Sequence, residues 1–153
     1  MGFSTYLRLT AEQAKKLKAG EIVKALSLSK IEKLPRATKV DLYTYQAFVE
    51  RVVDADTIWM RIVLGLGIEI RQKLRLRGID CPELGTKAGE QAKRFVEDKL
   101  KSTPEIVITT TKPDKYDRYL TDVWLDDINL NKLLLETGHA RLKTAVSPSD
   151  WGE

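Results

Sequence analysis

The chain is poor in the residues that build covalent cross-links and soft-metal centres. Its 153 residues include one cysteine, Cys81, and one histidine, His139. A lone cysteine cannot close an internal disulfide, and a lone histidine excludes a multi-histidine zinc site, so any metal must be held mostly by oxygen. No apolar run approaches the ~18 residues of a membrane span, which excludes a transmembrane function. The opening MGFSTYLRLT lacks the basic-then-apolar pattern and small-residue cleavage site of an export signal. Gly2 opens no myristoylation motif, because Tyr6 stands where Ser or Thr is needed. The compartment stays open between the cytoplasm and, for a trimmed chain, the exterior.

Hydrophobic residues make up 42% of the chain, enough for a packed core, and charged residues 31%. The formal charge of +4 is unevenly spread. Residues 1–40 hold nine Lys and Arg against three Glu, a net of +6, whereas residues 41–153 hold 17 against 19, a net of −2. The basic character therefore belongs to the first quarter and is no signature of nucleic-acid binding by the whole chain.

Thr10 opens a capping-box pattern with Gln13, AEQAKKLKA favours helix, and Gly20 is placed to stop it. Ile22, Val23, Leu26, Leu28, Ile31 and Leu34, mixed with lysines and closed by Pro35, predict a second helix over 21–34. Residues 1–40 thus read as a basic helical extension, either a solvated face or a docking segment for a protein partner. From Tyr43 the texture turns to strands: TYQAFVERVV, TIWMRIVL and GIEIRQKLRLRGI, with the Leu64–Gly67 step as a hairpin turn. Residues 86–101 have the spacing of an amphipathic helix. EIVITTT and YLTDVWL read as an antiparallel pair, and NLNKLLLETGHARL as a helix stopped by Gly138. This count fits a mainly β fold with helices (α+β), a five-stranded OB-like barrel occupying 41–153. Trp59, Trp124, Phe48 and Phe95 are expected to pack in the core.

Four carboxylates fall in two short pieces, Asp54 and Asp56 in VVDADTI and Asp80 and Glu83 in GIDCPEL. On an extended strand Asp54 and Asp56 project to one side, where their repulsion is relieved by a hard, oxygen-seeking cation such as Ca²⁺. Arg75 and Arg77 alternate with Leu74 and Leu76 on the strand leading into Asp80, and Arg118 closes DKYDR beside Lys115 and Tyr116. Guanidinium groups bind phosphate bidentately, and arginines beside metal-binding carboxylates describe a phosphodiester hydrolase. For Arg77 a structural ion pair is the expected role, and His139 reads as a helix-end residue.

The ordered set D-A-D-T (54–57), R-L-R-G-I-D-C-P-E (75–83), G-E-Q-A-K-R-F (89–95), D-K-Y-D-R (114–118) and N-L-N-K-L-L-L-E-T-G-H-A (129–140) resembles the staphylococcal nuclease, or thermonuclease, family over roughly residues 43–146. The resemblance implies an OB-fold barrel and Ca²⁺-dependent cleavage of DNA and RNA, single strands preferred, leaving a 3′-phosphate. It further implies that Asp56, Asp80 and the backbone carbonyl of Cys81 ligate calcium, with Asp54 standing behind them. Glu83 then activates or orients the attacking water, Arg75 and Arg118 clamp the phosphate, and Lys115 and Tyr116 contact the nucleotide, in a chain expected to act as a monomer. Three departures stand out. Thr144 and Val146 replace the family's base-stacking tyrosines, the loop after Glu83 is shortened to LGTKA, and the chain ends at SPSDWGE, where the family continues into a further helix. Relatives that have lost their acids and arginines act as nucleic-acid or protein scaffolds, and such a binding module is the alternative reading.

Overall fold

The computed structural model describes residues 3, 8–27, 29–38, 41–103, 105–113 and 119–143. Helix α1 (Ala11–Lys16) begins with the predicted capping box: the Gln13 N–H donates to Thr10 Oγ1 at 3.3 Å and the Thr10 N–H to Gln13 Oε1 at 2.8 Å. It stops at Lys16, short of Gly20, because none of its residues is buried and a six-residue helix has no core contact to extend it. The helix expected over 21–34 is instead a hairpin of β1 (Val23–Ala25) and β2 (Ile31–Lys33). Ser27 decides this. Its Oγ accepts the N–H of Ser29 and of Lys30, and the Leu26 N–H donates to the Lys30 carbonyl, so side-chain bonds to nearby backbone reverse the chain where a helix would have run on. Phe3 docks on the barrel, 5.3 Å from the Tyr45 ring and 4.4 Å from that of Tyr119.

The barrel is built from β3 (Thr44–Asp54), β4 (Thr57–Gly65), β5 (Ile68–Leu76), β7 (Glu105–Pro113) and β8 (Tyr119–Leu125). The order is β5-β4-β3-β7-β8, antiparallel throughout, and it closes through a parallel contact of β5 with β8 in which Arg75 faces Leu120. This is the expected five-stranded OB-type barrel. The β4–β5 turn falls at Leu64–Gly67 as the sequence indicated, with positive φ at Gly65, Leu66 and Gly67. Two short strands, β6 (Ile79–Asp80) and β10 (Arg141–Leu142), pair outside the barrel, and β9 (Ile128–Asn129) extends β8.

Alternation fills the interior with Ile58, Met60 and Ile62 from β4, Leu74 and Leu76 from β5, Ile108 from β7 and Val123 from β8. Helix α2 (Lys87–Lys101), capped by Thr86, turns Gly89, Ala92, Val96 and Leu100 onto the barrel; α3 (Leu130–Glu136), capped by Asn129, contributes Leu130 and Leu134. Trp59 and Trp124, expected in the core, lie half-buried on the outside of their strands, because the alternation that buries Ile58, Met60 and Val123 sends them outward. Phe95 stacks against His139 at 4.4 Å, and Arg77 forms its expected ion pair, 2.8 Å from Asp122. No helix among the described residues is long and apolar enough to cross a membrane.

Asn131 ties the far end of β5 to β8. Fully buried, it accepts the Val123 N–H at 3.2 Å and donates to the carbonyls of Thr121 and Arg77 at 2.9 and 3.1 Å. Asn131→Ala would leave these buried groups unpaired and is expected to cost about 3 kcal/mol, measurable by urea unfolding. A loss below about 0.5 kcal/mol would show that water or a neighbour takes over those bonds.

Candidate active site

The DADT segment is a tight reversal rather than an extended run. Asp54 ends β3, Thr57 begins β4, and Ala55 and Asp56 turn between them. This overturns the extended-strand argument for a common projection. Asp54 Oδ1 instead accepts the N–H of Asp56 at 3.2 Å and holds the turn, while Asp56 points inward and is only 4% exposed. Asp54 therefore braces the turn that carries Asp56.

Arg75 joins the two acidic pieces. Its Nη1 donates to Asp56 Oδ1 at 2.7 Å and its Nη2 to Asp80 Oδ1 at 2.9 Å. The partners lie 19 and five residues away in sequence; the β4–β5 register, which sets Arg75 opposite Thr57, brings them together. Two further donors fix Asp56: the Cys81 N–H reaches Oδ2 at 3.0 Å and the Thr57 hydroxyl reaches Oδ1 at 3.1 Å. Asp56, Arg75, Asp80 and Cys81 thus form one cluster, with Asp54 and Thr57 bracing it. A guanidinium carries five N–H groups, and these bonds engage two of them.

Burial pushes the Asp56 carboxyl up to about 6, against the Cys81 N–H and Arg75, which pull it down; Asp54 adds to the rise. Burial, together with Asp56, Asp54 and Asp80, lifts the Cys81 thiol to about 12. Cys81 is therefore a neutral thiol at physiological pH and no nucleophile; its backbone is what the site uses.

Glu83 lies just beyond, on the exposed turn between β6 and α2, and its carboxylate has no hydrogen-bond or ion-pair partner among the described residues. Its backbone is fixed, since the Thr86 hydroxyl donates to the Glu83 carbonyl at 2.7 Å. Gly89 makes the close approach possible, because a Cβ there would overlap that same carbonyl oxygen. Gly89 was not singled out as a site residue from the sequence, although a glycine in the first turn of a helix otherwise made of strong helix formers is the visible signal. Arg118, Lys115 and Tyr116 lie outside the described residues. The strand that follows them enters the barrel beside β5, with Leu120 facing Arg75.

The groups gathered here are hard: two carboxylates bridged by one guanidinium, with the Cys81 backbone bound to one of them through its N–H. Among the described residues no three His, Cys, Asp or Glu side chains converge as a metal-holding group. Carboxylate oxygens are hard donors, so an ion taken by this pair would be an oxygen-seeking one rather than zinc.

Fold and site together define a class: a small OB-type barrel with an arginine-bridged pair of aspartates at one end of its third strand. The model of the family described as staphylococcal nuclease homologue matches residues 73–151, just over half of the chain, and the chain belongs to that family. The matched segment contains Arg75, Asp80, Cys81 and Glu83; Asp54 and Asp56 precede it and are joined to it by the fold. No curated protein matched the chain.

The raised pKa of Asp56 gives a signed expectation. The folded state binds this proton more tightly than the unfolded chain, whose value is 3.8, so the stabilisation is complete below about pH 4 and is lost as pH rises through about 6. Wild type should lose Tm relative to Asp56→Asn across that window. Parallel Tm curves for the two proteins would contradict the assignment.

Proposed function

We propose that the chain is a calcium-dependent nuclease that hydrolyses phosphodiester bonds of DNA and RNA, single strands preferred, and leaves 3′-phosphate ends. Family membership supports the nuclease class. The observation that carries the reading is Arg75, held by Asp56 and Asp80 with three N–H groups that bond none of the described residues, in a chain segment that runs on to Glu83, whose carboxylate has no partner among the described residues.

In this reading Asp56, Asp80 and the Cys81 carbonyl hold the calcium ion, and Asp54 keeps Asp56 in place. When bound, the ion supplies Lewis acidity toward a phosphoryl oxygen. Arg75 donates to the phosphate oxygens and takes up the charge that grows on them in the transition state, with Arg118 as the second clamp. Glu83 orients the attacking water and accepts its proton as the new P–O bond forms, while the 5′-oxygen departs and the phosphate stays on the 3′ side. Lys115 and Tyr116 are assigned to nucleotide binding. The chain acts as a monomer, and residues 1–40, with their net charge of +6, serve as a docking segment for a protein partner.

A second reading, an OB module that binds nucleic acid or protein without cleaving it, draws on the same arginine: Arg75 already bridges both aspartates and compensates one of their two charges without a metal.

Cleavage of denatured DNA by the purified chain, with calcium and with chelator, separates the two. The nuclease reading expects calcium-dependent cleavage that falls about 10²–10³-fold in Arg75→Ala and strongly in Glu83→Ala. No cleavage by a folded chain with any divalent metal would favour the binding module.

A further inference from the structure

The outer face of β3, β4 and β5 carries side chains that the proposed chemistry leaves unused. On β5, Leu74 and Leu76 are buried, and Arg71, Lys73 and Arg75 alternate with them on the opposite side. The sheet register arranges this face in three rows. Asp54, Thr57 and Arg75 form the first, which is the candidate site; Arg51, Trp59 and Lys73 form the second; Phe48, Arg61 and Arg71 form the third.

Charge on these rows is not uniform. Arg61 pairs with Glu69 and lies 4.3 Å over the Phe48 ring, and Arg71 pairs with Glu50 at 2.8 Å. Arg51 and Lys73 are exposed, and neither has an acidic partner among the described residues. In the sheet register these two unneutralised cations flank the half-buried indole of Trp59, and Arg51 and Trp59 line a groove of about 510 Å³ together with Glu50 and Arg71. Arg75 and Lys73, alternate residues of β5, are spaced about 6.6 Å apart, close to the step between successive phosphates of an extended single strand, and Arg51 lies two strand spacings, about 9.6 Å, across the row from Lys73, with Trp59 between them.

The geometry points to a binding track for single-stranded nucleic acid that leaves the site at Arg75 and crosses Trp59, with a base stacked on the indole and the flanking phosphates on Lys73 and Arg51. Charge complementarity selects a polyanion, and an aromatic platform between the cations selects one with unpaired bases. This inference rests on the nucleic-acid reading above and extends it: the preferred substrate is a long single strand, and its length is measured on this face.

The test is binding by the full chain in chelator, where nothing is cleaved, of fluorescein-labelled oligothymidylates of about 4 and about 16 nucleotides over a salt series. Wild type should bind the longer strand at least about tenfold more tightly. Arg51→Ala/Lys73→Ala should abolish most of that advantage and reduce the slope of log affinity against log salt by about 1.4, which is 0.7 for each lost phosphate contact. Trp59→Ala should weaken the longer strand about tenfold without changing the slope, with Trp59→Phe recovering most of the loss. If Trp59→Ala does not fold, Trp59→Phe and the charge variant decide, both checked for an unchanged melting transition. Equal affinity and slope in wild type and the charge variant would overturn the track, as would an equal loss on both lengths. A chain that cleaves while its length dependence ignores these variants keeps the nuclease reading and loses the track; one that never cleaves but shows the predicted losses does the reverse.

Discussion

The ion contacts of Arg75 with Asp56 and Asp80 are the constraint on which the rest of the site depends. Asp56 is almost fully buried, and a carboxylate in that position needs both hydrogen bonds and a counter-charge to ionise. The Cys81 N–H and Thr57 hydroxyl supply the former and Arg75 the latter, yet burial outweighs them and holds the Asp56 carboxyl above its ordinary range. Arg75 keeps the two acids together, and any change of charge at one of the three is felt by the other two.

The barrel is what makes such a cluster affordable in conformational terms. Asp56 sits in the tight β3–β4 turn, Arg75 near the end of β5 and Asp80 on the short strand that follows, three places fixed by register rather than by flexible loops. The Asn131 bonds to the carbonyls of Arg77 and Thr121 lock the end of β5 against β8, one turn of chain from the cluster. Glu83 differs in kind. Its backbone is held by Thr86 and by the close approach of Gly89, yet its carboxylate is exposed and has no partner among the described residues.

Much of this was legible in the sequence because the elements concerned have strong local codes. The spacing of Ala92, Val96 and Leu100 and the Thr86 cap specify α2, and the glycines at 65 and 67 specify the β4–β5 turn. Charge and spacing also brought Asp56, Arg75, Asp80 and Glu83 forward as a set. The misreadings have physical causes. The apolar residues at 22, 23, 26, 31 and 34 suit a helix or a hairpin, and the hydroxyl of Ser27 tips the choice through bonds too local for periodicity to register. The DADT turn folds because β3 and β4 pair, so Asp54 turned back onto the Asp56 amide where an extended strand would have aimed both acids one way. Trp59 reads as core by residue type, whereas its face of β4 was decided by Ile58 and Met60 on either side. Arg75 with Asp56, 19 residues apart, is a contact only the closed sheet reveals.

The most direct test of the central claim is a calcium titration of the ¹⁵N-labelled chain followed by amide resonances. The account predicts saturable shifts centred on Asp56, Asp80 and Cys81, together with the side-chain N–H signals of Arg75, and their loss in Asp56→Ala. Shifts elsewhere in the molecule, or none at millimolar calcium in a folded chain, would contradict the assignment of this cluster as the place where cation and phosphate meet.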